Sequence, residues 1–394
     1  MMDQTLPADA FPIRANATAA PSSGIVEVFD YGRNKPGLMP LWVGEGDRPT
    51  PAFIAEAASA SLAAGETFYT YQGGIPSLRE TIARYLGGLY GKPVAPERIF
   101  VTSGGMHALQ LAVTMTAGLG DEVIVPSPAW PNFVGALTVS GATPREVAMR
   151  FGNRGWQLDI EDVARAITPR TKALTINSPA NPTGWTASLD ELRAMLDLAR
   201  KHGLWIIADE IYGRFYYDAF RAPSFRDIMS PDDRIMFVQT LSKNWAMTGW
   251  RIGWLEAPAS LGTPIVNLIQ YSSSGTAVFV QRAAEAAIAG GETFITEQVE
   301  QARRNRAVLL EAFAREPRFR FAEPQGAFYL FFGVEGVEDT RRLAFRLVDE
   351  ANVGLAPGTA FGAGGAGYLR LCYLRKTEDI VEAARRLAVA VGDL

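Results

Sequence analysis

Lys243 is the residue whose neighbours in the sequence most clearly suggest chemistry. It follows the apolar run 235–238, which has the length and composition of a short buried strand. Thr240 and Ser242 place hydroxyl groups beside it, and Arg251 offers the forked guanidinium group that suits phosphate. Because desolvating an ammonium group is costly, such a lysine either has a chemical role or reaches to the surface. The segment alone leaves both interpretations open. It also leaves open whether Arg251 binds an anion or is an ordinary surface arginine.

A second candidate anion site lies at the junction between a strand-like run and a predicted helix. Gly104, Gly105 and Met106 stand where the run 98–102 meets a helical stretch over 106–117. Glycine lets the backbone approach a ligand closely, and the first turn of a helix has free N–H groups that bind anions. An ordinary tight turn accounts for the same two glycines, so this motif is weak by itself.

Four more polar or aromatic residues stand near the ends of apolar runs. Asp209 follows the run 205–208, where a carboxylate is either paired or caps the next segment. Tyr212 would be its neighbour if one helical turn follows. Core packing is the ordinary role of a tryptophan such as Trp130, and Asn181 in Asn-Pro-Thr-Gly is by default a turn residue.

The elements that must position these residues alternate between strand and helix. Six runs are short and apolar without polar alternation: 98–102, 122–125, 173–176, 204–208, 235–238 and 251–255. Such strands suit a sheet that is covered on both faces, and the helix predicted over 188–202 favours parallel pairing of its neighbours. Ligands of these sheets bind beyond the carboxyl ends of the strands. The sequence therefore predicts an α/β domain whose site gathers the residues that follow the strands.

The C-terminal part of the chain has a different pattern. Five elements are predicted there: helices over 294–314, 339–351 and 377–391, and strands over 325–332 and 367–373. We predict a large domain over 49–284 and a smaller α+β domain over 285–394, to which an N-terminal arm of residues 1–48 contributes.

Composition and charge exclude several classes of protein. The chain has 394 residues, a net charge of −4, two histidines and one cysteine, Cys372. The acidic balance argues against a nucleic-acid partner, and no run approaches the twenty apolar residues of a membrane span. His107 and His202 are too far apart in the sequence for a metal site, so we expect no metal. One cysteine cannot form an intrachain disulfide, and the N-terminus lacks the pattern of a secretory signal; we expect a cytoplasmic protein.

Taken together and in order, these motifs resemble the aspartate aminotransferase family of class I and II pyridoxal-phosphate enzymes. The resemblance covers about Leu41 to Tyr373 and rests on four segments: YTYQGGIPSLRE from Tyr69, NPTG from Asn181, DEIY from Asp209 and TLSKNWAMTGWRIGW from Thr240. It implies the fold type I architecture, a large domain with a mainly parallel sheet and a smaller α+β domain. It also implies an aminotransferase that exchanges an amino group between an L-amino acid and a 2-oxo acid by a ping-pong route.

The resemblance implies a site for pyridoxal 5′-phosphate with three catalytic residues. Lys243 would form the Schiff base, which requires a neutral amine and therefore a lowered pKa. Asp209 would keep the pyridine nitrogen protonated, and Tyr212 and Asn181 would hydrogen-bond the phenolic oxygen of the ring. The other implied cofactor-binding residues are Gly104, Gly105, Met106, Trp130, Asn181, Thr240, Ser242, Arg251 and Tyr69.

The same resemblance implies how the substrate binds and how the subunits pair. Arg370 would bind the α-carboxylate bidentately, and the backbone of Gly44 would contact the same group. Asn181 would also be a substrate-binding residue. Tyr69 would reach the phosphate bound by the neighbouring subunit, which implies a homodimer with shared active sites.

Two departures from the family pattern bear on the substrate, and two other functions stay open. Phe133 is apolar where some dicarboxylate-specific relatives have histidine, and residues 267–270 supply no charge where such relatives often have arginine. We therefore expect a substrate that is not strictly aspartate. The alternatives are a pyridoxal-phosphate lyase or synthase on the same fold, and a ligand-sensing regulator. Tyr212, where lyase-like relatives tend to have histidine, argues against the lyase, and the short segment before Leu41 argues against the regulator.

Overall fold

The structure is a computed structural model that describes residues 13–393, so residues 1–12 of the predicted N-terminal arm lie outside it. Within the described residues the α-helices are α1 (Ala15–Thr18), α2 (Gly24–Gly32), α3 (Ala52–Ala63), α4 (Pro76–Tyr90), α5 (Gly105–Thr116), α6 (Pro131–Ser140), α7 (Ile160–Ala166), α8 (Leu189–His202), α9 (Gly262–Ser272), α10 (Val278–Gly290), α11 (Glu292–Phe313), α12 (Thr340–Ala351) and α13 (Thr377–Gly392). The strands are β1 (Met39–Pro40), β2 (Ile99–Thr102), β3 (Glu122–Ser127), β4 (Thr143–Ala148), β5 (Arg150–Gly152), β6 (Gly155–Gln157), β7 (Thr171–Asn177), β8 (Trp205–Asp209), β9 (Ile235–Thr240), β10 (Gly253–Glu256), β11 (Phe319–Phe321), β12 (Tyr329–Val334), β13 (Val353–Gly354), β14 (Ala356–Pro357) and β15 (Tyr368–Cys372).

A central sheet dominates the first two thirds of the chain. Seven strands of the described residues pair in the order β2-β10-β9-β8-β7-β3-β4. Neighbours are parallel except that β10 runs antiparallel to both β2 and β9. The prediction of an α/β fold with a mainly parallel sheet is therefore confirmed.

Apolar residues on both faces explain why the central strands carry no polar alternation. Ile207 and Met236 pack with Leu109 of α5 on one face of the sheet. Their neighbours in the strands, Ile206 and Phe237, belong to the core on the opposite face. Because successive side chains of a strand point to opposite faces, a sheet covered on both sides requires apolar residues at nearly every position.

The helix predicted over 188–202 is confirmed and shows how local sequence sets an element's ends. Helix α8 begins after Ser188, whose Oγ accepts a hydrogen bond from Glu191 N at 3.2 Å, while the Glu191 carboxylate accepts one from Ser188 N at 2.7 Å. This capping box satisfies N–H groups that the first turn leaves unpaired. The helix ends at Gly203, which has a φ of +65°.

The strand predicted over 325–332 is wrong at its start. Strand β12 begins only at Tyr329, because the preceding residues bond to loops of the large sheet instead of to a strand. Gln325 N and Gly326 N both donate to Gly184 O, and Ala327 N donates to Phe215 O at 2.8 Å. The apolar pattern of 325–332 cannot distinguish these two kinds of partner.

The C-terminal part of the chain forms a second sheet with the order β11-β12-β15-β14, all antiparallel. The N-terminal segment joins it, since β1 pairs in parallel with β13 and α2 contacts α12 and β14. Helix α10 passes through position 284 without a break, so the predicted domain division there stays a prediction. No helix within residues 13–393 is long and apolar enough to cross a membrane.

Candidate active site

A cavity of about 570 Å³ opens at the carboxyl ends of the central strands. Asn177, Asp209 and Thr240, the last residues of β7, β8 and β9, line it together with Tyr329 of β12 and Arg370 of β15. The large sheet and the second sheet therefore both contribute to the lining of the cavity. Ligands of such sheets bind beyond the carboxyl ends of the strands, so the cavity lies where a ligand site is expected.

Lys243 lies in the wall of this cavity, in the turn after β9. Its Nζ donates a hydrogen bond to Gly44 O at 2.6 Å. Burial lowers the pKa of Lys243 from 10.5 to about 8, because the cavity walls remove the water that would solvate the ammonium group. The side chain thus does not extend along the outer surface, which was the alternative that the sequence left open.

Asp209 and Tyr212 enter the cavity from the loop that ends β8. Asp209 is only 1% exposed, and its Oδ1 accepts a hydrogen bond from Ile211 N at 3.3 Å. Burial raises the pKa of Asp209 to about 7, although the charge of Lys243 opposes the shift. The Tyr212 hydroxyl lies 2.7 Å from the Tyr329 hydroxyl, and burial also raises the pKa of Tyr212.

One end of the cavity has groups that suit an anion. Gly105 opens helix α5, whose first N–H groups are free, and Thr240, Ser242 and Arg251 line the same wall. Gly104, just before the helix, has a φ of +87°, and a Cβ there would lie 2.5 Å from Nη2 of Arg251. Only glycine lets the guanidinium group come this close to the helix terminus.

Arg370 marks another wall of the cavity. It is 2% exposed, and its Nη1 donates to Asn181 Oδ1 at 2.9 Å while Nη2 donates to Trp42 O. Its guanidinium carbon lies 4.7 Å from the centre of the Tyr329 ring. Nε of Arg370 is buried and has no hydrogen-bond partner among residues 13–393. A guanidinium group that is held in place and lines a cavity is suited to a carboxylate ligand.

Most of the residues implied by the sequence meet in this cavity, although their roles stay predictions. The following line it: Gly44, Gly105, Met106, Trp130, Asn181, Asp209, Tyr212, Thr240, Ser242, Lys243, Arg251 and Arg370. Gly104 lies behind Arg251 and is outside the lining. Tyr69 is 95% exposed on the surface and does not reach the cavity of its own chain.

The structure adds residues that sequence reasoning missed. Tyr329 links Tyr212 and Arg370 but stands in a segment whose strand was misplaced. Three apolar residues of α2, Ile25, Val26 and Phe29, also line the cavity. Their spacing along one face of a helix was the signal that could have identified them.

Comparison with known proteins agrees with this geometry. The sequence profile of the aminotransferase class I and II family matches residues 37–387. An aspartate aminotransferase of Pyrococcus horikoshii is 32% identical over 373 residues, 94% of each chain. The arginine–pyruvate transaminase of Pseudomonas aeruginosa is 34% identical over 358 residues, 91% of each chain. The solved aspartate aminotransferase of Thermotoga maritima superposes with a TM-score of 0.90 at 32% identity, covering 96% of this chain and all of that one (100%). The chain belongs to the class I and II aminotransferases.

Proposed function

We propose that the protein binds pyridoxal 5′-phosphate in this cavity. It then exchanges an amino group between an L-amino acid and a 2-oxo acid in two half-reactions at this one site. The proposal rests mainly on one observation. Lys243 and Asp209 line the same cavity, and the lining also has groups that suit an anion. The names of the relatives differ in their substrates, aspartate in one and arginine with pyruvate in another, so the family leaves the donor open.

The residues present fit this cofactor at three points. The α5 terminus with Arg251 and the hydroxyls of Thr240 and Ser242 suits a phosphate group. Asp209 has a single side-chain hydrogen bond within the described residues, so its carboxylate is available to a cationic ring nitrogen. Trp130 and the other apolar residues of the lining offer flat or apolar surface for a ring.

Pyridoxal phosphate, when bound, supplies an aldehyde that combines with amines and a pyridinium ring that withdraws electrons. Asp209 would hold a proton on the ring nitrogen, since a cation beside a buried carboxylate favours the charged form of the carboxylate. Lys243 has a pKa of about 8, so a useful fraction of its amine is neutral near that pH. Its Nζ would take the proton from Cα of the amino donor and, in the second half-reaction, would deliver a proton to Cα of the product formed from the 2-oxo acid. Tyr212 would donate a hydrogen bond from its hydroxyl group to the phenolic oxygen of the ring.

Arg370 binds and orients the substrate. Its guanidinium group is fixed by Asn181 and by Trp42 O and lines the cavity, where it can meet a carboxylate. A planar fork held in one orientation binds a carboxylate bidentately with little further loss of entropy. This contact places the α-carboxylate at one end of the cavity and so directs the amino group towards Lys243.

A homodimer is part of the proposal. Phe68, Tyr69, Tyr71 and Tyr271 are large side chains that are between 65% and 95% exposed. The two segments that carry them lie together, since Gln72 Nε2 donates to Gln270 Oε1 at 2.9 Å. Exposed aromatic clusters of this kind mark protein interfaces, which supports shared active sites in which Tyr69 reaches the phosphate of the partner.

We also propose a cytoplasmic compartment. The support is the single cysteine, Cys372, which is free and fully buried in β15. A buried free thiol as the sole cysteine suits a reducing environment.

The experiment follows the absorbance of protein reconstituted with pyridoxal phosphate while an amino donor is added. The aldehyde form should convert to the amine form, and a 2-oxo acid should restore it. Lys243→Ala should abolish the conversion, whereas Lys201→Ala, which removes an exposed lysine of α8, should leave it unchanged. Unchanged turnover in Lys243→Ala would refute the assignment. Release of ammonia and pyruvate instead of a restored aldehyde would indicate the lyase.

A further inference from the structure

We propose that the donor carries an uncharged, apolar side chain, which binds against a wall formed by helix α2. This proposal rests on the proposed function of the cavity and names its substrate class. The wall consists of Ile25, Val26 and Phe29, which all line the cavity that contains Lys243 and Arg370.

Helix α2 has two apolar faces, one turned to the core and one that lines the cavity; on the second face Ile25 and Phe29 also pack against the core. Val28 is fully buried, and Gly32 packs so closely on Trp42 that a Cβ would lie 2.8 Å from its ring. Val26 is turned away from this core face and is 52% exposed. A helix that already buries one apolar face does not need a second for its own stability. Apolar side chains that line a cavity are the usual contact surface of a small ligand.

The wall is connected to the proposed carboxylate site through two contacts. The ring of Phe29 packs edge-to-face on Trp42 with 5.8 Å between the ring centres. The carbonyl oxygen of the same tryptophan accepts a hydrogen bond from Nη2 of Arg370. Val43, the next residue, lines the cavity too. A substrate whose carboxylate binds Arg370 therefore has the apolar wall beside its side chain.

The charges in the lining argue against a dicarboxylic donor. The cationic lining residues of the described chain are Lys243, Arg251 and Arg370, and each already has a role at the reacting centre, the phosphate or the α-carboxylate. Of the acidic ones, Glu45 has no ion-pair partner within residues 13–393, and its Oε2 accepts a hydrogen bond from Thr248 at 2.9 Å. Within this chain a side-chain carboxylate would lie near Glu45 and would find no cation without another role, which is unfavourable.

The test measures the half-reaction of the reconstituted enzyme with single amino acids. The second-order rate constant for converting the bound aldehyde form should be at least about tenfold higher for leucine, methionine or phenylalanine than for aspartate, glutamate or arginine. Val26→Ala should lower the ratio of the leucine to the alanine rate constant by up to about tenfold, because the shorter donor does not reach the wall. Val381→Ala, which truncates a valine of similar exposure on α13, is the matched control and should leave that ratio unchanged.

Each other result decides against the proposal. A higher rate constant for aspartate, glutamate or arginine than for the apolar donors overturns it while leaving the aminotransferase proposal intact. An equal loss with leucine and alanine in Val26→Ala shows a structural effect of the wall and also overturns it. A wild-type spectrum that responds to no donor overturns the proposed function together with this inference.

Discussion

Lys243 should destabilise the folded protein when no cofactor is bound, and replacing it with methionine should recover that stability. The folded state lowers the pKa of this amine from 10.5 to about 8 by burial. Between these two pH values the unfolded chain binds a proton at Lys243 that the folded chain does not, so the free energy of unfolding rises with pH there. Methionine has a similar length, no charge and a flexible apolar side chain.

The magnitude follows from the pKa and from one hydrogen bond. The lowered pKa corresponds to roughly 3 kcal/mol of lost stability at pH 7, fully present below about pH 8 and disappearing as the pH approaches 10.5. Methionine also removes the hydrogen bond to Gly44 O, which costs about 1 kcal/mol at every pH. We therefore expect Lys243→Met to raise the free energy of unfolding by about 2 kcal/mol at pH 7 and by nearly nothing at pH 9.5.

The measurement is urea denaturation of the cofactor-free wild type and variant at pH 7 and pH 9.5. Protein concentration is kept the same throughout, because assembly of subunits makes apparent stability depend on it. Lys201→Met, at an exposed lysine of α8, should show no gain at either pH. A gain in Lys243→Met that is the same at both pH values, or a loss at pH 7, would refute the link between this amine and stability.

Three other predictions test separate parts of the site. Burial raises the pKa of Asp209 to about 7, so the contribution of this group to the free energy of unfolding should fall as the pH rises from 4 to 7, and the melting temperature of Asp209→Asn relative to wild type should be higher at pH 8 than at pH 4.5. Tyr329→Phe removes the 2.7 Å hydrogen bond to the neighbouring phenol and should move the pH midpoint of the bound-cofactor spectrum, whereas Tyr373→Phe, in a buried tyrosine pair outside the cavity, should not. Gly104→Ala should weaken cofactor binding by more than about tenfold in a fluorescence titration, because it displaces the nearby guanidinium group. Gly65→Ala, at a glycine with a similar positive φ but open space around it, should affect stability alone. Equal effects of Gly104→Ala and Gly65→Ala on cofactor binding would contradict the proposed phosphate site.

The strands of the central sheet could be predicted from the sequence where they are buried, because buried strands form continuous apolar runs. Strands such as β8 and β9 are buried throughout or nearly so, and their apolar runs indicated them. Strand β4 was missed because it lies at the edge of the sheet, is mostly exposed and contains Pro144. A proline is tolerated at an edge strand and removes the apolar run that the prediction depended on.

The site could be predicted where residues follow strands, and not where it depends on packing between distant segments. Asp209 and Thr240 end adjacent parallel strands, so their proximity follows from topology. Tyr329 meets Tyr212 across 117 residues of sequence, and no local pattern marks that contact. Val26 belongs to a short helix with two apolar faces. The sequence alone does not show that the second face lines a cavity.

One physical cause, burial, shifts the two central ionisable groups in opposite directions and ties function to stability. In the folded chain it favours the neutral amine of Lys243 and the neutral carboxyl of Asp209, and each preference makes the charged form unfavourable near neutral pH. A ligand that combines with the amine and places a cation beside the carboxylate removes both penalties, so it binds the folded state more tightly than surface contacts alone would allow. A site of this kind is therefore less stable when empty because of the same features that would make it reactive when filled.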